Sequence, residues 1–159
     1  MSNVIYVSVE DINEPQWLSN VHPFLEEILQ NRKHKNWELS VLFCSDTYMQ
    51  QLNKQYREKD SSTDVLSFEQ GEEYVDDDGT IMYTAGDIAI SEAFLYENAK
   101  TFDVSPNEEL KRLLVHGILH LEGYDHGDSH IGDDTTETNE MFEIQETLIK
   151  AFRDYIIIG

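Results

Sequence analysis

The chain has few cations: eleven Lys and Arg stand against 32 Asp and Glu, a formal net charge of −21 over 159 residues. That balance works against nucleic acid as a partner, because affinity for a phosphate backbone comes from clustered positive charge. Distribution matters more than the sum, however, and Lys54, Arg57 and Lys59 fall within six residues. Cysteine is nearly absent. The single Cys44 excludes an internal disulfide and fits a reducing compartment. It ends an alternating apolar segment and reads as a small core residue rather than a nucleophile or zinc ligand. No apolar run is long enough to cross a bilayer, and Met1 to Tyr6 lacks a basic segment followed by an apolar one. We therefore expect a cytoplasmic protein with no membrane partner. Repeats and low-complexity segments are missing too, and the length suits one domain, 1–159, around a single core.

Three of the six histidines lie in one stretch, His116-Gly117-Ile118-Leu119-His120-Leu121-Glu122-Gly123-Tyr124-Asp125-His126. If the stretch is helical as far as Glu122, His116 and His120 project from one side, a turn apart. Gly123 suits a left-handed helix end, which lets the chain double back and bring His126 toward the same point. Three neutral imidazoles and no obvious fourth ligand describe a catalytic zinc site with an open position. A histidine pair at this spacing is more often a surface or hydrogen-bonded pair. Here the surrounding helix is apolar nearly all round, so it is expected to be buried, and buried imidazoles need partners. Nickel and copper also suit imidazole nitrogen, and zinc is preferred on geometry and availability. The same spacing occurs in zinc peptidases, where a Glu general base follows the first histidine. Gly117 holds that position and disfavours peptidase chemistry, and Glu122 lies on another helix face. Gly117 either admits substrate near the metal or lets elements pack. His130 is a candidate fourth ligand beyond the compact spacing.

Strands and helices alternate along the chain. Val4 to Val9 reads as a strand, and Pro15 opens a helix through Trp17, Leu18, Val21, Phe24, Leu25, Ile28 and Leu29. Arg32 to Lys35 then suits either dipole capping or binding. A second strand holds Leu39, Val41 and Phe43, and Ser45 or Asp46 caps a helix through Met49, Leu52 and Tyr56. This helix ends at Arg57, and a polar loop leads to a third strand, Val65 to Phe68. Arg57 offers a fork of donors matched to phosphate or carboxylate, with Lys59, Ser62 and Thr63 adding donors; the plainer reading is an ion pair with Asp60 or Asp64. The acidic stretch 72–78 has a loop tip at Asp76 to Gly79 without the ligand spacing of a calcium loop. Ala85 to Ile90 is a fourth strand whose Asp87 needs a partner and is placed to orient an imidazole or an Arg. Ser91 starts a short helix, and Ser105-Pro106-Asn107-Glu108 is a capping box that starts the histidine helix. A last helix carries Met141, Ile144, Leu148, Phe152, Tyr155 and Ile156 on one stripe. The expected fold is α+β, close to α/β: a small mixed four-stranded sheet packed with about five helices in one compact domain.

Taken together, HGILHLEGYDH, LNKQYREKDSSTDVLSF and AGDIAI, in this order and separation, resemble the signature of the YbeY family of bacterial rRNA maturation endoribonucleases. The resemblance covers most of the chain. It implies a zinc-dependent, single-strand-specific endoribonuclease acting in maturation of the small-subunit (16S) ribosomal RNA and in ribosome quality control. By the same resemblance His116, His120 and His126 match the metal ligands, one zinc per chain, and Arg57 matches a functionally important Arg. Single-stranded RNA, ribosomal RNA, the small ribosomal subunit and ribosome-assembly proteins are the implied partners. A cation held by three neutral imidazoles lowers the pKa of water toward about 7, and Arg57 would neutralise the scissile phosphate. Two other readings remain open: a metal hydrolase of another substrate, and a non-catalytic assembly factor in which zinc stabilises the fold.

Overall fold

The computed structural model describes residues 3–124 and 136–159. Four strands, β1 (Val4–Glu10), β2 (Trp37–Cys44), β3 (Val65–Val75) and β4 (Ile81–Ser91), form one mixed sheet in the order β1-β2-β4-β3. β1 and β4 both run parallel to β2, while β3 and β4 make an antiparallel hairpin. The helices are α1 (Val21–Asn31), α2 (Asp46–Arg57), α3 (Glu92–Thr101), α4 (Pro106–Leu121) and α5 (Thr136–Ala151). The α+β expectation, with its mixed four-stranded sheet and five helices, is met.

Side chains alternate along β2, and the two sets face different layers. Leu39, Val41 and Phe43 join Ile88 and Ile90 of β4 in the large core, beneath α1 and α4. Leu42 and Cys44 face the other way, toward Met49 and Leu52 of α2. α4 is the central helix, set against the sheet, α3 and α5. Ten of its sixteen residues are buried, which confirms that its all-round apolar sequence belongs inside the protein. Two glycines permit close packing. A Cβ on Gly117 would come within 2.7 Å of Ile88 Cδ1 on β4, and one on Gly86 within 2.1 Å of the Phe68 carbonyl oxygen.

Caps set the helix starts as the sequence indicates. The Oγ atoms of Ser45, Ser91 and Ser105 accept from the backbone N–H of Tyr48 (3.0 Å), Phe94 (3.3 Å) and Glu108 (3.1 Å). α1 departs from expectation: Pro15 opens only a turn and a 3₁₀ segment at Leu18–Asn20, and the helix starts at Val21. Pro23 explains the delay, since it is tolerated in a first turn, where its missing N–H is unneeded, and would break a helix already running from Pro15. The last helix ends at Ala151 rather than continuing to Ile156, which is exposed; Ile157 is buried instead. Two side chains of α4 hold this C-terminal segment. Lys111 Nζ donates to the carbonyls of Phe152 (2.9 Å) and Arg153 (3.1 Å), and Asn107 bonds the backbone of Tyr155, Ile157 and Ile158.

Candidate active site

α4 brings His116 and His120 together as their spacing requires. The rings lie 4.7 Å apart between centroids, and the two Nε2 atoms face each other at 3.1 Å. Both side chains are half-buried, more open than the sequence indicates. Two nitrogens bound to one tetrahedral zinc at about 2.0–2.1 Å would stand about 3.3–3.4 Å apart, close to the distance seen. The donor set therefore fits a divalent cation of that size. His116 Nδ1, on the far side of its ring, lies 3.0 Å from Oε1 of Gln145 on α5. His126 and His130 lie outside the described residues. Among the described residues no group of three or more His, Cys, Asp and Glu side chains is placed to hold a metal ion.

Beyond His120 the helix closes in the way Gly123 predicts. Gly123 has φ +104°, its N–H donates to His120 O (3.0 Å), and Tyr124 N–H donates to Leu119 O (3.1 Å). This paired closure of the last carbonyls is a Schellman motif. Glu122, at the helix end, is an acid where the dipole disfavours one, and it is heavily partnered. Arg32 grips it through two bonds, Nε to Oε2 at 3.0 Å and Nη2 to Oε1 at 2.7 Å. His34 Nε2 lies 2.5 Å from Oε2, with its ring stacked on Trp37 at 3.7 Å. Burial alone would raise the Glu122 carboxyl, but the hydrogen bonds from His34 and Arg32 outweigh it and hold the group below its ordinary range. The basic segment after α1 thus serves as a tether that fixes the turn leading toward His126.

Arg57 is exposed at the end of α2, a helix whose Met49 and Leu52 pack on the Cys44, Leu66 and Ala89 side of the sheet. Its helix stops at Glu58, which adopts a left-handed conformation (φ 58°). The following loop is anchored by Asn53 Nδ2 donating to Ser61 O (2.8 Å) and Ser62 Oγ donating to Asp46 Oδ1 (2.5 Å). In this loop Asp60 accepts from Gln50 (3.0 Å), and Asp64 accepts from Asn98 (3.0 Å) and the Val65 N–H (2.8 Å). Between α2 and the sheet lies an open cleft of about 500 Å³ lined by Ser40, Leu52, Tyr56, Phe68 and Asp87 among others. Asp87 accepts from Ser40 Oγ and from Gln70 Nε2 (2.7 Å) in this cleft. It therefore faces away from α4, which does not meet the imidazole half of the expectation for Asp87.

Two groups that touch this region were not anticipated from the sequence, and each had a faint signal. Gln145 lies within the apolar stripe of Met141, Ile144 and Leu148, and a polar residue at a core-facing position must find a partner. Glu122 had its unfavourable place at a helix C-terminus.

The family model described as Endoribonuclease YbeY matches residues 5–153. An Endoribonuclease YbeY of Treponema denticola is 49% identical over 157 residues, covering 97% of this chain and 96% of the relative. One from Treponema pallidum is 44% identical, covering 92% and 88%, and one from Borreliella afzelii is 37% identical, covering 84% and 85%. The solution structure of a Thermotoga maritima protein superimposes with a TM-score of 0.64 at 29% identity, covering 96% of this chain and 91% of that one. A match spanning nearly the whole chain, together with relatives this similar along most of their own length, makes it a member of the YbeY endoribonuclease family.

Proposed function

We propose that the chain is a zinc-dependent, single-strand-specific endoribonuclease of small-subunit ribosomal RNA maturation, acting as one domain over residues 1–159. His116, His120 and His126 hold one cation, and Arg57 binds the scissile phosphate. The observation that carries this reading is the pair of Nε2 atoms facing each other at 3.1 Å at the closed end of a buried helix. Bound there, the cation supplies Lewis acidity and lowers the pKa of water toward about 7. The imidazoles stay neutral as ligands, so the site keeps its positive charge for a phosphodiester. Arg57 contributes a fixed fork of donors where charge builds on the phosphoryl oxygens. Its exposure suits a group that must meet a polymer.

Gly117 supports RNA over peptide as substrate. The position from which a peptidase would present its general base packs instead onto Ile88, leaving no space there for a carboxylate side chain. The cellular setting that goes with this reading is the cytoplasm, with ribosomal RNA, the small subunit and assembly proteins as partners. Among the described residues no helix is long and apolar enough to cross a membrane.

The test is metal analysis of the purified protein joined to cleavage assays on structured and unstructured RNA, before and after chelation. The expected result is one zinc per chain and cutting of unstructured RNA that stops on chelation and returns with zinc. Intact RNA beside stoichiometric zinc would favour an assembly factor in which zinc serves the fold. A 2′,3′-cyclic phosphate on the product would identify the ribose hydroxyl as nucleophile and exclude direct attack by water.

A further inference from the structure

We infer that Gln145 of α5 is a positioning residue of the metal centre, setting the tautomer of His116 so that Nε2 offers its lone pair toward His120. The inference rests on the metal reading above. As placed, Gln145 turns its amide oxygen, which only accepts hydrogen bonds, to His116 Nδ1 at 3.0 Å, an arrangement that puts the ring proton on Nδ1. A neutral imidazole carries one N–H, which leaves Nε2 as the lone pair, and this atom faces Nε2 of His120 at 3.1 Å. Metal-bound histidines commonly have such a partner on the second nitrogen, which fixes ring and tautomer together.

Gln145 is itself held in place. Only 8% exposed, it sits between the buried Met141 and Leu148, next to Glu146, which pairs with Arg112 at 3.1 Å. Lys111 and Asn107 fasten the segment after α5 to α4. An amide also differs from a carboxylate here. It orients the ring without adding negative charge, so the cation keeps more of its electrophilic character, whereas a Glu would make the imidazole a stronger donor.

The test begins with the unsubstituted protein stripped of metal. Ring-nitrogen ¹⁵N shifts in mildly alkaline buffer should show His116 with its proton on Nδ1; a proton on Nε2 would overturn the inference without any substitution. Zinc affinity is then measured by chelator competition, and cobalt binding by its visible spectrum. Gln145→Leu keeps the volume and removes the acceptor, and should weaken zinc binding by about 10- to 100-fold. Gln145→Glu keeps the acceptor and should bind at least as tightly as the parent, with a shifted cobalt spectrum. If Leu and Glu variants bind zinc as the parent does, Gln145 is only a packing residue. Parent protein that takes up neither cation would overturn the metal reading and this inference with it, so the two failures are told apart.

Discussion

The two faces of the sheet are built to different depths. Under α4 the strands present Leu39, Val41, Phe43, Ile88 and Ile90, none more than 1% exposed, and a second layer of helices closes over them. Under α2 the buried cluster is Cys44, Met49, Leu66 and Ala89, Tyr56 is 61% exposed, and a cleft lies open beside it. α4, over the deep face, carries His116 and His120, and α2, over the shallow one, ends at Arg57. A cation site needs its donors held within a fraction of an ångström, which close packing provides. A residue that receives a phosphate from a flexible polymer needs access more than rigidity. On the proposed roles, the more closely packed layer would supply rigid donors and the helix over the more open layer would end at the residue that meets the substrate.

Breaking each layer should therefore have unequal consequences. Leu114→Ala, in the large core, is expected to cost about 2–5 kcal/mol of stability, whereas Leu52→Ala, half-buried over the cleft, costs about 1. Urea unfolding of the two variants checks this, and equal losses would mean that the layers are not distinct. Arg57→Ala is expected to leave zinc content and melting temperature unchanged while RNA cleavage falls about 100-fold, or about 2.7 kcal/mol of transition-state stabilisation. Cleavage that survives the change would remove Arg57 from the reaction.

A subtler probe is Gly117→Ala. The added methyl gains about 1 kcal/mol of helix propensity but meets Ile88 Cδ1 at 2.7 Å and both its γ carbons at 3.0 Å. Ile88 is a stiff, β-branched residue, buried and unable to yield freely, so strain of about 1–3 kcal/mol is expected to win. A net loss of up to about 2 kcal/mol, with weaker zinc binding as α4 is pushed off the sheet, would confirm that the glycine serves packing. Unchanged stability with impaired RNA binding would assign it to substrate approach instead.

Local signals carried much of this architecture, because caps, periodicity and glycine turns act over a few residues. Ser45, Ser91, Ser105 and Gly123 each end or begin a helix where the sequence places them. Pro23 carried equally local information about α1 that the apolar periodicity outweighed. The apolar pattern of β3 is legible only as far as Phe68, because Glu69 to Val75 is exposed and acidic; beyond it only the loop tip at Asp76 to Gly79 marks edge strands, and pairing with Ile81 to Gly86, across a bulge at Gly71, makes them one hairpin. The same limit applies to the site. His116 and His120 are four residues apart and readable, whereas Gln145 is 29 residues from His116 and only the packing of α5 reveals its partner. For Asp87, alternation shows that it faces away from Ile88 but not which helix covers which face.

The smallest expected effect comes from Cys44, the buried thiol of the shallow face. Burial chiefly, with help from the charges of Asp46 and Asp11, pushes it from 9.0 up to about 12. The folded state thus keeps the proton that an unfolded chain gives up. Below pH 9 both states are protonated and the contribution is fully present; as pH rises from 9 toward 12 the unfolded chain ionises first, and the contribution is lost. Cys44→Ala is expected to lower stability at neutral pH by about 1 kcal/mol, for the small cavity it leaves, while flattening the decline between pH 9 and 12. Tyrosines and lysines titrate over the same range, so the difference between the two curves, and not either alone, isolates the thiol. Urea midpoints that fall in parallel would show that Cys44 ionises as readily in the fold as outside it, and that the layer beneath α2 is open to water.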